Sequence, residues 1–307
     1  MLALSNAPYA LSPTSLAHTR QAKALRDEMR TLATLALKED GAAHDVTSKY
    51  SATKTAGTLT LQAQEDMTLA GSIILPFFYP SPPCHITFFC QDGTKLKAHT
   101  DFASIQSHDS VFLLSRERPC LNVIQILSGI ATLTARYVEK IRHSQARLLD
   151  TRKTIPAMRY LSKYATALSG GLNHRHHLKD SLFIKDNHIL ASGGDLDRLL
   201  TSMAKKIKGH KAHAPPWHSI IVECDRLEQV ATALRHEISY ILLDNMTPAM
   251  LNQSVRHIRG RAVAEASGGV TLDNISDIAT TGVDYISLSA ITLQAPAVNI
   301  SARWEAR

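Results

Sequence analysis

The chain contains 307 residues and carries a formal net charge of +7 at pH 7, with an isoelectric point near 9.2. Hydrophobic residues make up 44% of the sequence and aromatic residues 6%, which is typical of a soluble α/β protein with an aliphatic core. No window approaches about 18 consecutive apolar residues, and the basic tract 205–208 lies at a predicted helix end. We therefore expect no membrane partner and no nucleic-acid partner, which leaves small anionic substrates to explain the basic balance.

The four cysteines, Cys84, Cys90, Cys120 and Cys224, lack CxxC spacing and are too sparse for a disulfide framework. We expect them to be small, buried or half-buried residues in a reducing compartment. Residues 1–20 lack an early cationic segment followed by an apolar core, which argues against a secretory signal. The sequence therefore predicts a cytoplasmic protein with a loose N-terminal extension.

The first half of the chain changes its hydrophobic period twice. Residues 19–38 have apolar side chains at helical intervals, and Gly41 after them suits a left-handed cap. Between residues 51 and 114 the period falls to two, which predicts a small sheet. Residues 116–140 return to helical spacing. The turn 45–48, Asp-Val-Thr-Ser, is either a helix cap or a functional segment.

From residue 146 onward, short apolar runs alternate with amphipathic segments. Nearly every run ends in a hydrophilic residue: Asp150, Lys185, Glu223, Asp244, Glu265 and Ser287. The last three intervals are 21, 21 and 22 residues, which fits one strand, one helix and two short loops. Six such units predict a parallel barrel or an open parallel sheet, with the functional site at the carboxyl ends of the strands. The absence of a GxGxxG or GxxxxGK[ST] loop favours the barrel.

Four strong cations gather near the ends of the first two of these strands: Arg152, Lys153, Arg175 and Lys185. Arginine binds carboxylates with two hydrogen bonds, and a lysine directly after a buried apolar run is uncommon. The cluster therefore predicts a site for a substrate with several negative charges. The alternative is structural ion pairing with Asp150, Asp180 and Asp186, which would neutralise some of these cations.

Glu223 and Asp244 follow two successive strands. Carboxylates at strand ends hold a divalent cation, accept hydrogen bonds from ribose hydroxyls or stabilise a cationic transition state. In the alternative interpretation each caps the following helix, and this alternative is strongest for Asp244.

A glycine turn, Ser267-Gly268-Gly269, follows Glu265 and leads towards a helix. Backbone amides in such a turn form a nest for phosphate. The next strand end adds further candidates for this phosphate site: Ser287, Ser289 and Ala290.

The histidines at positions 174, 176 and 177 suggest a metal site only weakly, because cysteines and a helical HxxxH pair are missing nearby. We assign His174, beside Arg175, to anion binding. We expect His176 and His177 to be surface residues.

Several of these segments together resemble one known family. They are Asp150-Thr151-Arg152-Lys153-Thr154, Asn173-His174-Arg175, Ile184-Lys185-Asp186-Asn187-His188 and Glu265-Ala266-Ser267-Gly268-Gly269. The ordered set closely resembles quinolinate phosphoribosyltransferase, the decarboxylating form of nicotinate-nucleotide pyrophosphorylase. With further matches, the resemblance covers nearly all of residues 20–301.

The resemblance implies an incomplete parallel α/β barrel, the type II phosphoribosyltransferase fold, with an N-terminal α/β sandwich domain. It places the sandwich at residues 1–125 and 290–307 and the barrel at residues 126–289. It also implies a homodimer with shared active sites, in which the sandwich of one subunit covers the barrel mouth of the other.

The resemblance further implies a role for each candidate residue. The quinolinate carboxylates would meet Arg118, supplied across the dimer interface, together with Arg152, His174, Arg175 and Lys185. Lys153, Glu223 and Asp244 would be the catalytic residues and would face phosphoribosyl pyrophosphate and Mg²⁺. Glu223 and Asp244 would bind the metal ion. The 5′-phosphate would face Ser267, Gly268 and Gly269. The implied reaction releases pyrophosphate and CO₂ and forms nicotinate mononucleotide for NAD biosynthesis.

The sequence departs from the family's pattern at four positions. Ser289 and Ala157 stand where the family usually has glycine, as does His44, and Leu293 stands where it often has histidine. We expect the Ser289 side chain to crowd the phosphate nest.

Two other functions compete with this interpretation. One is a molybdenum-transport-associated paralogue of the same fold with another acceptor, against which the intact Asn173-His174-Arg175 and Lys185–His188 segments argue. The other is a non-catalytic protein that binds phosphometabolites or RNA.

Overall fold

The computed structural model describes residues 20–51, 54–209 and 220–306. The described residues form two compact units. The sandwich unit, as we call it, comprises residues 20–135, 153–171 and 290–306; the barrel unit comprises residues 136–152 and 172–289, apart from 210–219. The predicted N-terminal extension lies outside the described residues, except for Arg20.

The helices are α1 (Arg20–Glu39), α2 (Val46–Ser51), α3 (Leu75–Phe78), α4 (Ser110–Ile141), α5 (Arg159–Leu168), α6 (Asp186–Ala191), α7 (Leu196–Gly209), α8 (Leu227–Arg235), α9 (Pro248–Ile258), α10 (Ile275–Thr280) and α11 (Ala290–Leu293). The strands are β1 (Gly57–Ala63), β2 (Met67–Thr68), β3 (Cys84–Phe88), β4 (Lys95–Leu96), β5 (Asp101–Ser107), β6 (Arg147–Leu149), β7 (Phe183–Ile184), β8 (Ile221–Cys224), β9 (Tyr240–Asp244), β10 (Val263–Ser267), β11 (Tyr285–Ser287) and β12 (Ile300–Ala306).

The sandwich unit is built on a four-stranded antiparallel sheet with the order β12-β1-β5-β3. Side chains alternate between the two faces of a strand, so Leu59 and Leu61 of β1 share a face with Ile105 of β5. This face joins α1, α4 and α5 in one hydrophobic core. The C-terminal strand β12 completes the sheet beside β1, as the family resemblance implied for the C-terminal tail.

The barrel unit contains a six-stranded parallel sheet with the order β6-β11-β10-β9-β8-β7. The last strand of the series, β11, pairs with the first, β6, so β6 and β7 form the two edges of the sheet. Side chains from β6, β8, β9 and β11 pack in a common interior cluster. Among the described residues no ladder joins β6 to β7, and the barrel is therefore incomplete, as expected.

Most of the elements predicted from hydrophobic period are confirmed. The helix predicted at 116–140 begins earlier, at Ser110, and Gly41 has the expected positive φ of 64°. The turn at 45–48 is a helix cap, because the Asp45 carboxylate accepts the N–H of Ser48 at the start of α2. The four cysteines are free and lie in buried or half-buried positions. No helix among the described residues is long and apolar enough to cross a membrane.

The compact units differ from the predicted domain limits in two segments, residues 126–135 and Lys153–Gly171, both of which were predicted to belong to the barrel. The sequence placed Lys153–Gly171 with the barrel, whereas this segment, which contains α5, clusters with the sandwich unit. The Leu161 and Ala165 side chains of α5 are fully buried in the sandwich core, which explains the association.

Ala157 occupies a backbone conformation that favours glycine. It is exposed and has a φ of 61°, and the left-handed conformation costs a residue with a Cβ atom about 1–2 kcal/mol. We therefore expect Ala157→Gly to increase the free energy of unfolding by about 0.5–1 kcal/mol, after allowance for the greater freedom of glycine in the unfolded chain. Chemical denaturation would measure the change.

Ala204→Gly, inside the helix α7, is the matched control. The same substitution at an ordinary helical position should reduce the free energy of unfolding by about 1 kcal/mol. If both variants lost stability to the same extent, the strain assigned to Ala157 would be contradicted.

Candidate active site

The strand register gathers the predicted site residues of the barrel unit at one edge of the sheet. Ser267 at the end of β10 is level with Asp244 on β9 and with Ser287 on β11. Ile184 pairs with Val222, so a continued register places Lys185 level with Glu223. Because residues at one level of a parallel sheet share a face, these side chains project on the same side of the strand ends.

Lys185 and Glu223 form an ion pair across neighbouring strands. The Lys185 Nζ lies 2.8 Å from Glu223 Oε2, and the two side chains are 44% and 12% exposed. The pair neutralises one cation of the predicted cluster and holds its ammonium group at the mouth of the strands. The sequence had predicted different ligands for these two residues and did not predict this contact.

Asp150 holds the segment that carries the other cations. Its carboxylate is fully buried and accepts hydrogen bonds from the His174 backbone N–H and the Asn173 side-chain amide, each at 2.8 Å. Asp180 similarly accepts the backbone N–H groups of His176 and His177. These two acids therefore fix the 173–180 loop.

Arg175 is buried, with 4% of its surface exposed. Its Nη1 donates to the Ser181 carbonyl oxygen at 2.7 Å, and its guanidinium carbon lies 4.9 Å from the centre of the Phe183 ring. The Lys185 Nζ lies 4.8 Å from the same ring. Phe183, which no sequence signal singled out, thus brings two of the predicted cations together.

His174 lies beneath Arg175 and beside a buried glutamate. Its Nδ1 accepts the backbone N–H of Arg175 at 2.8 Å, and its Nε2 is 3.5 Å from Glu265 Oε2. Glu265 is fully buried and accepts the Tyr240 hydroxyl at 2.7 Å. Burial disfavours the charged form of Glu265, but the facing imidazole of His174 and the hydroxyls of Ser287 and Tyr240 outweigh it and hold its pKa below the usual value.

The helix-cap interpretation of Glu223 and Asp244 is wrong. Helix α8 begins at Leu227 after Arg226, and α9 is capped by Thr247, whose hydroxyl accepts the Met250 N–H. Both acids therefore stop short of the helix termini, with Asp244 accepting a hydrogen bond from the Asn245 side chain at 2.7 Å. The described residues contain no group of three or more potential metal ligands.

The glycine turn after β10 requires both of its glycines. Gly268 and Gly269 have φ values of 84° and 63°. A Cβ on Gly268 would overlap the Asn245 side chain and lie 2.9 Å from its backbone nitrogen, whereas a Cβ on Gly269 would meet nothing within 4 Å. The turn is thus closed against Asn245 on one side and open at Gly269, where a ligand can approach the backbone.

Comparison with known proteins gives this arrangement a family. The model of the quinolinate phosphoribosyl transferase C-terminal domain matches residues 130–303. The chain belongs to the quinolinate phosphoribosyltransferase family.

Individual relatives agree with this assignment. A probable nicotinate-nucleotide pyrophosphorylase [carboxylating] of Synechocystis sp. is 42% identical over 192 residues, which span 62% of each chain. The quinolinate phosphoribosyltransferase [decarboxylating] 2b, mitochondrial, of Nicotiana tabacum is 33% identical over 300 residues, covering 89% of this chain and 81% of the relative. The crystal structure of nicotinate-nucleotide pyrophosphorylase from Ehrlichia chaffeensis superposes with a TM-score of 0.82 at 31% identity, covering 90% and 98% of the two chains.

Two departures from the quinolinate phosphoribosyltransferase pattern have different structural meanings. Ser289 is half-buried and is not among the residues with positive φ, so its backbone does not require glycine. Leu293 is 51% exposed at the end of α11 in the sandwich unit. The expected crowding of the phosphate nest by Ser289 stays a prediction.

Three predicted site residues belong to the sandwich unit. Arg118 lies within α4, and its guanidinium is 3.8 Å from the Glu117 carboxylate with a side chain 59% exposed. Lys153 is exposed and Ala290 begins α11. The roles that the family resemblance gives these residues, and the substrate contacts of Arg152, His174 and Arg175, stay predictions.

The expectation for His176 is wrong. It is buried rather than at the surface, whereas His177 is half-buried. The physical reason is the tight turn Leu178–Asp180, which folds the loop back so that Asp180 bonds both backbone N–H groups.

Proposed function

We propose that this protein transfers the phosphoribosyl group of phosphoribosyl pyrophosphate to the ring nitrogen of quinolinate. The 2-carboxylate leaves as CO₂, and the other products are nicotinate mononucleotide and pyrophosphate. The observation that carries this proposal is the pairing of a cationic pocket with a carboxylate: Arg175 and Lys185 share Phe183, and Glu223 adjoins Lys185. The chain's family supplies the reaction class.

The acceptor side uses the cations. Quinolinate carries two adjacent carboxylates, and Arg152, Arg175 and Lys185 supply charges of the opposite sign, with Arg118 added from a partner subunit. The Arg175 guanidinium is buried and held in a fixed position. A preorganised cation of this kind favours a ligand with matching charge, because binding needs no further ordering of the side chain.

The donor side uses the carboxylates and the glycine turn. We assign Glu223 and Asp244 to the donor's ribose and to Mg²⁺, and Ser267, Gly268 and Gly269 to its 5′-phosphate. Lys153, Ser287, Ser289 and Ala290 complete this assignment. Magnesium is commonly held by one or two protein carboxylates together with substrate phosphates, so two acids on adjacent strands fit an ion that arrives with the donor.

The chemistry depends on charge at the anomeric carbon. The pyridine nitrogen forms a bond to this carbon while the bond to pyrophosphate breaks, and the positive charge that develops is stabilised by the Glu223 carboxylate. When a quinolinate carboxylate binds Lys185, it would replace Glu223 as the partner of this lysine. The Glu223 carboxylate would then be available to stabilise the transition state. The resulting pyridinium accepts the electron pair when the C2–CO₂ bond breaks, and C2 then takes a proton.

We further propose that the enzyme is a cytoplasmic homodimer whose active sites are shared between subunits. The support is the exposed position of Arg118 on α4, where it is available to a partner, and the family resemblance that assigns it across the interface.

The first prediction concerns the acceptor. With phosphoribosyl pyrophosphate and Mg²⁺, the protein should form nicotinate mononucleotide and CO₂ from quinolinate, and nicotinate should give a kcat/KM at least about 100-fold lower. Nicotinate lacks the second carboxylate and therefore loses charge-assisted hydrogen bonds to the cations on the acceptor side, which costs several kcal/mol. Product analysis with each acceptor tests this, and equal use of nicotinate would refute the proposed function.

The second prediction concerns Glu223→Gln. This variant should reduce kcat by about 100-fold, because a preorganised charge at the reacting carbon is lost. Its affinity for quinolinate should be unchanged or higher, since Lys185 loses its intramolecular partner. Steady-state kinetics and calorimetric titration measure the two effects separately.

Asp225→Asn is the matched control, because Asp225 is exposed and pairs with Arg226 at the surface. Its kinetics should match those of the wild type. Loss of quinolinate binding in Glu223→Gln, with normal turnover at saturation, would show that Glu223 serves the acceptor instead.

The third prediction concerns subunit sharing. Arg118→Ala and Lys185→Ala homodimers should each be nearly inactive while remaining folded. Random mixing makes half of the dimers mixed, and each mixed dimer has one intact site, so activity should recover to about a quarter of the wild-type value. Differently tagged chains verify the mixed dimer, and its inactivity would mean that Arg118 serves its own subunit.

A further inference from the structure

We propose that Glu265 is a positioning residue for acceptor binding. It holds the His174 imidazole so that the other edge of the ring fixes the backbone of Arg175, and Arg175 binds the acceptor carboxylate. The inference rests on the proposed function for the identity of the acceptor, but the chain of contacts from Tyr240 through Glu265 and His174 to Arg175 exists independently of catalysis.

The first link is the anchoring of Glu265. Its side chain is fully buried on β10, and Tyr240 on β9 donates its hydroxyl to Oε2 at 2.7 Å. Burial, followed by the nearby charge of Glu265, raises the pKa of Tyr240 well above its usual value, so the hydroxyl stays a donor. A buried carboxylate held in this way has a fixed orientation.

The second link is the state of the His174 ring. Its Nδ1 accepts the backbone N–H of Arg175 at 2.8 Å, so this nitrogen carries no proton. The proton of the neutral ring therefore resides on Nε2, and Nε2 faces Glu265 Oε2 at 3.5 Å. A carboxylate on this side stabilises the Nε2–H tautomer and with it the acceptor role of Nδ1.

The third link is Arg175 itself. Its backbone is held by His174 and its side chain by the Ser181 carbonyl at 2.7 Å. The ring of His174 also stacks on Phe183, with centroids 5.8 Å apart, the same ring that faces the guanidinium. His174 thus acts on the acceptor site by fixing the position of Arg175.

The direction of the change in the KM for quinolinate distinguishes a positioning role of Glu265 from a bystander role. A bystander carboxylate near an anion site repels the substrate, so neutralising it would lower the KM for quinolinate. A positioning carboxylate has the opposite effect. We expect Glu265→Gln to raise the KM for quinolinate about fivefold to tenfold, with the KM for phosphoribosyl pyrophosphate within twofold of the wild-type value.

Three outcomes would overturn the proposal. They are an unchanged quinolinate KM, a lower one, and a parallel rise of both KM values with a fall in the thermal midpoint, which indicates general structural damage. Tyr240→Phe keeps the ring and the carboxylate but removes one anchoring bond. Tyr240→Phe should raise the quinolinate KM about twofold to fivefold. If Glu265→Gln does not fold, the quinolinate KM of Tyr240→Phe tests the proposal by itself, and an unchanged or lower value would overturn it.

Nitrogen-15 NMR of the histidine rings provides a readout that needs no activity. The His174 signals, identified by their loss in His174→Asn, should show the neutral Nε2–H tautomer in the wild type and a shift towards a mixture in Glu265→Gln. A protonated Nδ1 in the wild type would refute the proposal even if the enzyme used quinolinate. The expected tautomer without quinolinate turnover would refute only the proposed function.

Discussion

The loop that carries His174 and Arg175 depends on the hydrogen bonds of one buried carboxylate, that of Asp150. Asp150 directly follows β6, at the edge where the barrel fails to close. The unpaired edge of β6 is covered by the segment at 172–174: Leu172 exchanges backbone hydrogen bonds with Leu148 and Asp150, and the Asp150 carboxylate takes the His174 N–H and the Asn173 amide. An exposed strand edge is thereby satisfied by the loop that carries His174 and Arg175. The same segment therefore covers the edge of β6 and positions Arg175.

Acids accompany the cations throughout the barrel mouth. The proposed site for a dianion needs excess positive charge, but an isolated buried charge is costly, which explains why acids lie close to Arg175 and Lys185. Lys185 is held by Glu223, and the loop of Arg175 is held indirectly by Asp150 and Glu265. The Lys185–Glu223 pair lies partly in solvent, with side chains 44% and 12% exposed, so breaking it costs less than breaking a fully buried pair. The fully buried acids bind neutral donors and remain in place.

The sequence predicted the strand ends well because parallel strands impose a strict geometry. Regular spacing from Glu223 through Asp244 and Glu265 to Ser287 predicts that these residues lie at one edge, and the register confirms it for Asp244 and Ser287, which are level with Ser267. The prediction is wrong for Glu265, which lies in the middle of β10, because the strand continues to Ser267. Contacts between side chains on different strands could not be predicted from the sequence in the same way. The Lys185–Glu223 pair joins residues 38 positions apart, and no local pattern records which partner a side chain will meet.

The burial of polar residues was the other feature that local pattern missed. His176 follows an arginine in a loop rich in charge, and such composition ordinarily indicates a surface. Phe183 was counted only as one apolar residue of a strand, although its ring faces Arg175, His174 and Lys185. Helix caps failed for a related reason: Asp244 has suitable chemistry, but the loop is longer than the minimum, and Thr247 takes the position.

Departures from a family pattern acquire physical meaning only once the backbone is known. Ala157 and Ser289 both replace a usual glycine, yet only Ala157 has a positive φ. A strained residue persists when its surroundings determine its conformation, and here the start of α5 is fixed from outside: the Glu28 carboxylate of α1 accepts the N–H groups of Tyr160 and Leu161 at 3.1 and 2.7 Å. Glu28 thus satisfies N–H groups at a helix start where the preceding residue, Met158, offers no side-chain cap. The strain at Ala157 is tolerated because the helix that follows is anchored by another element.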